Sequence, residues 1–240
     1  METARTAILQ EPPRKQPQGF VPDFRFTVAH YQKMISEGII SEDNRVELLN
    51  GKVVNKLARI PPHDFALSVA QEELRVICSP EWIVRCQLGI VVGKFSQSEP
   101  DLSVVGAPIR RYSKQHPGPK DTGMLVEVAE SSLLIDRLDK GPIYAGARIP
   151  WFWIVNVADK IVEVYSDPKG GASPEYRKHE DYKVGTKVPV VLDGKPWGML
   201  RWPSCSLKRR IDSCHHGHAT IKGTSDLDKA RVLYAKYIGH

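Results

Sequence analysis

Residues 124–129 read Met124-Leu125-Val126-Glu127-Val128-Ala129, an apolar run with one carboxylate inside it. Short, nearly continuous hydrophobicity of this kind predicts a strand buried on both faces, as in a sheet flanked by helices. Glu127 then needs an explanation. A carboxylate inside such a strand is costly to bury unless a metal ion or a positive side chain compensates it. The alternative is that Glu127 sits at the wet end of the strand, paired with a surface lysine.

Upstream, Glu99-Pro100-Asp101 opens a second short strand, Asp101-Leu102-Ser103-Val104-Val105, which should neighbour the first. Pro100 fixes φ and holds the following carboxylate in one direction. Two carboxylates at the ends of adjacent strands make a hard-oxygen site suited to Mg2+ or Mn2+. A turn-capping aspartate is the alternative for Asp101. A longer strand is expected from Trp82 to Val92, broken at Gly89.

Downstream, a helical stretch is expected around residues 136–148, then a strand over 149–157, with Lys160 to Tyr165 returning antiparallel. Asp136, Lys140 and Tyr144 are spaced four apart and share one face if the helix is continuous. A lysine there can stabilise charge on a phosphate or position a water; a solvated helix face is the other reading. Gly141-Pro142 favours a helix that begins near Gly141, which would leave Lys140 at its entrance.

Farther upstream, Thr27 reads as the N-cap of a short helix through Val28, Tyr31, Met34 and Ile35, ending near Gly38. Asn50-Gly51 between Arg45–Leu49 and Lys52–Val54 predicts a tight hairpin, because a type I′ turn wants positive φ at both central residues. Glu47 on that hairpin is either a further carboxylate ligand or an exposed alternating residue. Pro61-Pro62-His63-Asp64 precedes a helical pattern over 65–74, with Asp64 as the expected cap. His63 could touch a phosphate or activate water, or serve a capping or surface role. Residues 166–203 read as loops and short strands.

The chain of 240 residues has an ordinary hydrophobic content for a globular protein. No apolar run approaches a membrane span, and no apolar signal core opens the chain, so a soluble cytoplasmic protein is expected. Cys78, Cys86, Cys205 and Cys214 lack paired metal spacing or a disulfide framework, which fits a reducing compartment. The net charge is +6, but residues 204–240 carry seven Lys/Arg against three Asp/Glu, so basicity does not mark the folded body. Three parts are expected: a flexible, proline-rich lead over 1–22, a domain over 23–203, and a poorly ordered basic tail over 204–240. The tail's Cys214-His215-His216-Gly217-His218 lacks the ligand couples of a structural zinc site.

Together these pieces resemble the Uma-type restriction endonuclease family of the PD-(D/E)xK phosphodiesterase superfamily. The resemblance covers roughly residues 24–166. It rests on Phe26-Thr27-Val28 with Tyr31, the hairpin from Arg45 to Val54, Pro62-His63, Pro100-Asp101, Val126-Glu127-Val128, and Asp136, Lys140 and Tyr144 before Trp153-Ile154-Val155. It implies an α/β, restriction-endonuclease-like core (α-β-β-β-α-β), a small mixed central sheet flanked by helices. It implies metal-dependent hydrolysis of DNA phosphodiester bonds. Asp101 and Glu127 would hold Mg2+ or Mn2+, Lys140 and Glu47 would complete the catalytic set, and His63 and Tyr144 would contact substrate. Ala129 stands where the superfamily usually has its strand lysine, and Lys140 would replace it. Trp151-Phe152-Trp153 stands where the family usually has Glu-Tyr-Trp.

The expected partner is DNA, with homodimerisation common among small nucleases and no membrane or organic cofactor expected. The alternative is a catalytically impaired nuclease-fold module that binds nucleic acid or a protein. A third reading is an interaction protein whose Trp and Tyr residues form a dimer face.

Overall fold

The computed structural model describes residues 23–41, 43–78 and 80–202. The expected lead over 1–22 and the Cys/His-containing tail from residue 204 lie outside these residues.

The chain opens with helix α1 (Val28–Ser36), capped by Thr27, whose hydroxyl accepts from the His30 N–H at 3.2 Å. Tyr31 is its buried residue and donates to Val46 O at 3.1 Å. Strands β1 (Val46–Leu49) and β2 (Lys52–Asn55) form the expected hairpin, with Asn50 at φ +50° and Gly51 at φ +83°. Gly51 is needed twice over: a Cβ there would also lie 2.7 Å from Arg25 Cβ.

Helix α2 (Pro61–Cys78) follows. It begins three residues before the expected cap, so Asp64 lies in its first turn. Proline has no N–H to leave unpaired and its φ suits a helix start, so Pro61 and Pro62 open the helix. Strands β3 (Trp82–Cys86), β4 (Ile90–Val91), β5 (Gln97–Ser98), β6 (Leu102–Gly106) and β7 (Thr122–Ala129) come next. The expected strand over 82–92 is thus two strands in different sheets, separated where Gln87 takes φ +53°.

An α-helix starts at Gly141 with Lys140 at its N-cap, as expected, but the chain before it is also helical. Helices α3 (Leu133–Ile135) and α4 (Gly141–Gly146) are joined by a π-helical turn over Asp136–Lys140. The Gly141 N–H bonds Asp136 O across this wider turn. The turn carries the chain through Pro142 without a stop, as π-bulges do at functional positions. Strands β8 (Trp151–Asn156), β9 (Ile161–Lys169), β10 (Glu175–Lys183), β11 (Lys187–Leu192) and β12 (Lys195–Arg201) complete the fold. Residues 166–202 are therefore mostly strand, with strands longer than the loops and short strands expected.

The central sheet has the order β10-β9-β8-β7-β6-β3, with β7 and β8 parallel and every other pair antiparallel. The sequence α2, β3, β6, β7, helix, β8 gives the expected α-β-β-β-α-β core. A second sheet, β2-β1-β5-β4, stands beside it. All eight residues of β7 are buried. On one face Met124 and Val126 pack with Ala70 and Leu74 of α2 and with Val188 and Leu200 of the β11–β12 hairpin. On the other, Leu125 and Ala129 pack with Tyr144 of α4 and with Ile149. Glu127 shares this second face by strand alternation.

Candidate active site

The predicted residues come together where the C-terminal part of β7 meets the start of β6. Glu47, His63, Asp101, Glu127, Asp136, Lys140 and Tyr144 are all at most 8% exposed.

Asp101 ends the β5–β6 connection, and its Oδ2 accepts from the Val128 N–H at 2.9 Å. The same oxygen lies 3.2 Å from His63 Nε2, while Gln87 Nε2 donates to Oδ1 at 3.3 Å. Burial pushes the Asp101 carboxyl up, but the His63 and Val128 hydrogen bonds and nearby positive charge outweigh it, leaving it below the usual carboxylate range. Burial pushes His63 down, yet its contacts with Asp101 and Asp64 more than reverse that and raise it.

Glu127 is the opposite case. Burial drives its carboxyl up to about 8; Lys140 opposes this, while Asp136, Asp101 and Glu47 add to it. Lys140 Nζ lies 3.1 Å from Glu127 Oε1, 3.4 Å from Glu47 Oε1 and 3.6 Å from Asp136 Oδ1. Burial lowers the Lys140 ammonium, but these three carboxylates win and hold it above its ordinary value. Tyr144 OH donates to Glu127 Oε1 at 2.8 Å and lies 2.7 Å from Ser98 Oγ. Ser98 in turn donates to Glu47 Oε2 at 3.1 Å, and the Glu99 N–H reaches the same oxygen at 3.2 Å. Glu47 is thus an inward residue of its hairpin rather than an exposed one. Tyr144 is sealed inside the protein, bonded to the carboxylate.

The π turn explains how Lys140 arrives. Glu127, Ile154 and Glu163 lie in one row across β7, β8 and β9. From the same turn, Lys140 reaches Glu127 at one end of the row and Arg137 grips Glu163 at the other, at 2.9 and 2.6 Å. Glu163 is fully buried and also accepts from Asn156 and Tyr165. Glu163, Asn156, Ser98 and Gln87 were not singled out by sequence reading; Glu163, Ser98 and Gln87 depend on partners distant in sequence, and only the placement of Glu163 inside an apolar strand resembled the Glu127 signal.

The site opens into a cleft of about 730 Å³. Its acidic floor is rimmed by Arg25, Lys52, Lys56, Arg59 and Lys94, with Arg25 stacked over the Phe95 ring at 4.1 Å.

A family model named Uma2, described as "Putative restriction endonuclease", matches residues 28–194. The chain belongs to this family. The matched span runs from the start of α1 through the Asp193-Gly194 turn, so the Uma2 region contains every buried site residue described above, with Arg25 of the rim just outside it. A solved structure described as "a putative nuclease belonging to DUF820" from Anabaena variabilis is similar over 69% of this chain and 89% of that one, at 16% identity and a TM-score of 0.52. That likeness concerns the fold, a mixed α/β sheet with few helices. Among curated proteins none matches the sequence. No helix among the described residues is long and apolar enough to cross a membrane.

The donor set bears on the divalent cation that the sequence resemblance implies. Four carboxylates (Glu47, Asp101, Glu127 and Asp136) face one lysine and one histidine, so negative charge is in excess even with His63 protonated. Asp136 Oδ1 is buried without a hydrogen-bond partner. Among the described residues, no three His, Cys, Asp or Glu side chains form a ready-made metal cage. A two-carboxylate site is still chemically suitable for Mg2+, which keeps several waters and commonly takes one or two protein carboxylates plus substrate phosphate. The residues therefore fit a small divalent cation.

Proposed function

We propose that this chain is a divalent-metal-dependent endonuclease that hydrolyses DNA phosphodiester bonds. The observation that carries the reading is the meeting of Asp101, Glu127 and Lys140 beneath a cation-rimmed cleft. Asp101 and Glu127 would hold Mg2+ or Mn2+, with Glu47 behind them. Such an ion lowers the pKa of a bound water and neutralises charge on the phosphate.

The protein's own groups have separable tasks. His63 and the Val128 N–H orient Asp101. Tyr144 and Lys140 hold Oε1 of Glu127, which leaves Oε2 as its ligand atom. Lys140 offsets the acidic cluster and sits where it can stabilise charge on a phosphoryl oxygen. Arg25, Lys52 and Lys94 supply cations for the nucleic-acid backbone, which dominates affinity in such complexes.

Nicking of supercoiled DNA in the presence of Mg2+ or Mn2+ tests the reading. Asp101→Ala is expected to abolish nicking; cleavage that persists in the pure variant would overturn it. One observation favours a second reading, a nuclease-fold module that binds nucleic acid without cutting it: Lys140 already occupies Glu127 Oε1 at 3.1 Å. DNA binding with no nicking in either metal would select that reading.

A further inference from the structure

Strand β10 is the outermost strand of the central sheet, and no other strand of the described residues pairs with its outer edge. Nine residues long, it reads Glu175-Tyr176-Arg177-Lys178-His179-Glu180-Asp181-Tyr182-Lys183. All but the two tyrosines are exposed. An exposed edge of this length is a template for pairing with another chain, and charge on the edge is the usual means of blunting it.

The order of these charges does not blunt self-pairing. Outward from His179, Lys178 is balanced by Glu180, Arg177 by Asp181, Tyr176 by Tyr182, and Glu175 by Lys183. Three cations and three anions give the strand no net charge apart from His179. In an antiparallel pair of identical strands centred on one residue, position 179−n of one copy lies opposite position 179+n of the other. Every charged residue of β10 would then face its opposite, and each tyrosine would face a tyrosine. Directly opposed residues share a face of the sheet and interact, favourably when unlike in charge and unfavourably when alike.

We propose that the outer edge of β10 pairs antiparallel with β10 of a second copy, about a two-fold axis at His179. The pairing joins two six-stranded sheets into one. It is isologous, so the same patch serves both partners and the assembly closes at two. Existing contacts within the chain leave the central pair available: Arg177 and Glu175 have local partners in Asp167 and Lys169, whereas Lys178 has no ion pair among the described residues and Glu180 only accepts from Tyr182 OH. Lys178 and Glu180 are therefore the positions at which to test it.

Sedimentation of the full chain over a range of concentrations at low salt reads the association. Wild type is expected to dimerise. Lys178→Glu sets two like-charged pairs in each dimer, and so does Glu180→Lys; each should weaken association roughly tenfold or more. An equimolar mixture of the two single variants should associate again, because each then opposes the other's charges. The double variant Lys178→Glu/Glu180→Lys should also regain self-association. A general loss of folding cannot produce recovery on mixing. A monomeric wild type, single variants that dimerise as wild type does, or a mixture that stays apart would each overturn the proposal.

Discussion

At the scale of the residue, Asp101 and Glu127 are driven in opposite directions by their surroundings. Asp101 has a cationic partner and a backbone N–H, so it stays ionised; Glu127 is deeper among carboxylates and holds its proton up to about 8. The consequence has a definite sign. Between the ordinary glutamate value of 4.5 and about 8, the native state keeps a proton that the unfolded chain has released. Stability contributed by Glu127 therefore falls as pH rises through that window. Glu127→Gln removes the titration. In the absence of divalent cation, its thermal midpoint should rise relative to wild type from pH 5 to pH 8.5 (roughly the window's span). A difference between the two proteins that is independent of pH would mean that Lys140 keeps Glu127 ionised throughout. Glu127 and Asp101 were visible in the sequence because charge inside or beside apolar strands is anomalous, and Lys140 through its four-residue spacing from Asp136 and Tyr144. Ser98 and Gln87 carry no such signal. Their roles follow from contacts across 51 and 14 positions, which local pattern does not encode.

At the scale of the element, the π turn is the part that decides whether the site is complete. Helix α4 starts at Gly141, as Pro142 argued, yet the widened turn joins it to α3 and places both Lys140 and Arg137 over the sheet. Arg137→Met should release one end of this clamp and leave Glu163 buried without its cation. A stability loss of about 1–3 kcal/mol in urea unfolding is expected, because a buried carboxylate keeps only its neutral partners. Nicking should fall with it while DNA binding is retained. Wild-type nicking in Arg137→Met would show that the clamp does not position Lys140. Hairpin signals were uneven. Asn50-Gly51 stands between apolar runs and announces its hairpin, whereas Asp193-Gly194, with φ of +50° and +69°, makes an equally tight turn between β11 and β12 and is followed by Lys195-Pro196, which weakens the strand signal. Strand β10 escaped for a physical reason: as an edge strand, seven of its nine residues face water, so no hydrophobic alternation betrays it.

At the scale of the whole molecule, basic residues rim the cleft and acidic residues line its floor, and the proposed function would assign binding to the first and chemistry to the second. The net charge of +6 hid this, because much of the excess lies in the residues from 204 onward. The core order α-β-β-β-α-β was legible, since each core strand is a dense apolar run. Of the second sheet only the β1–β2 hairpin was, since β4 and β5 have two residues each. If Lys52 and Lys94 neutralise phosphates, removing either should weaken DNA binding whatever the sequence and reduce the slope of log affinity against log salt by about 1. Binding titrations over a salt series check this; an unchanged slope in both variants would place the DNA elsewhere on the surface.

In the proposed function Asp101 and Glu127 act together on one divalent cation. Calorimetric titration of Mn2+ into the wild-type chain, Asp101→Ala and Glu127→Gln tests that most directly. The prediction is one saturable site in wild type that both substitutions eliminate. Equal Mn2+ uptake by all three proteins, or none by wild type, would contradict it.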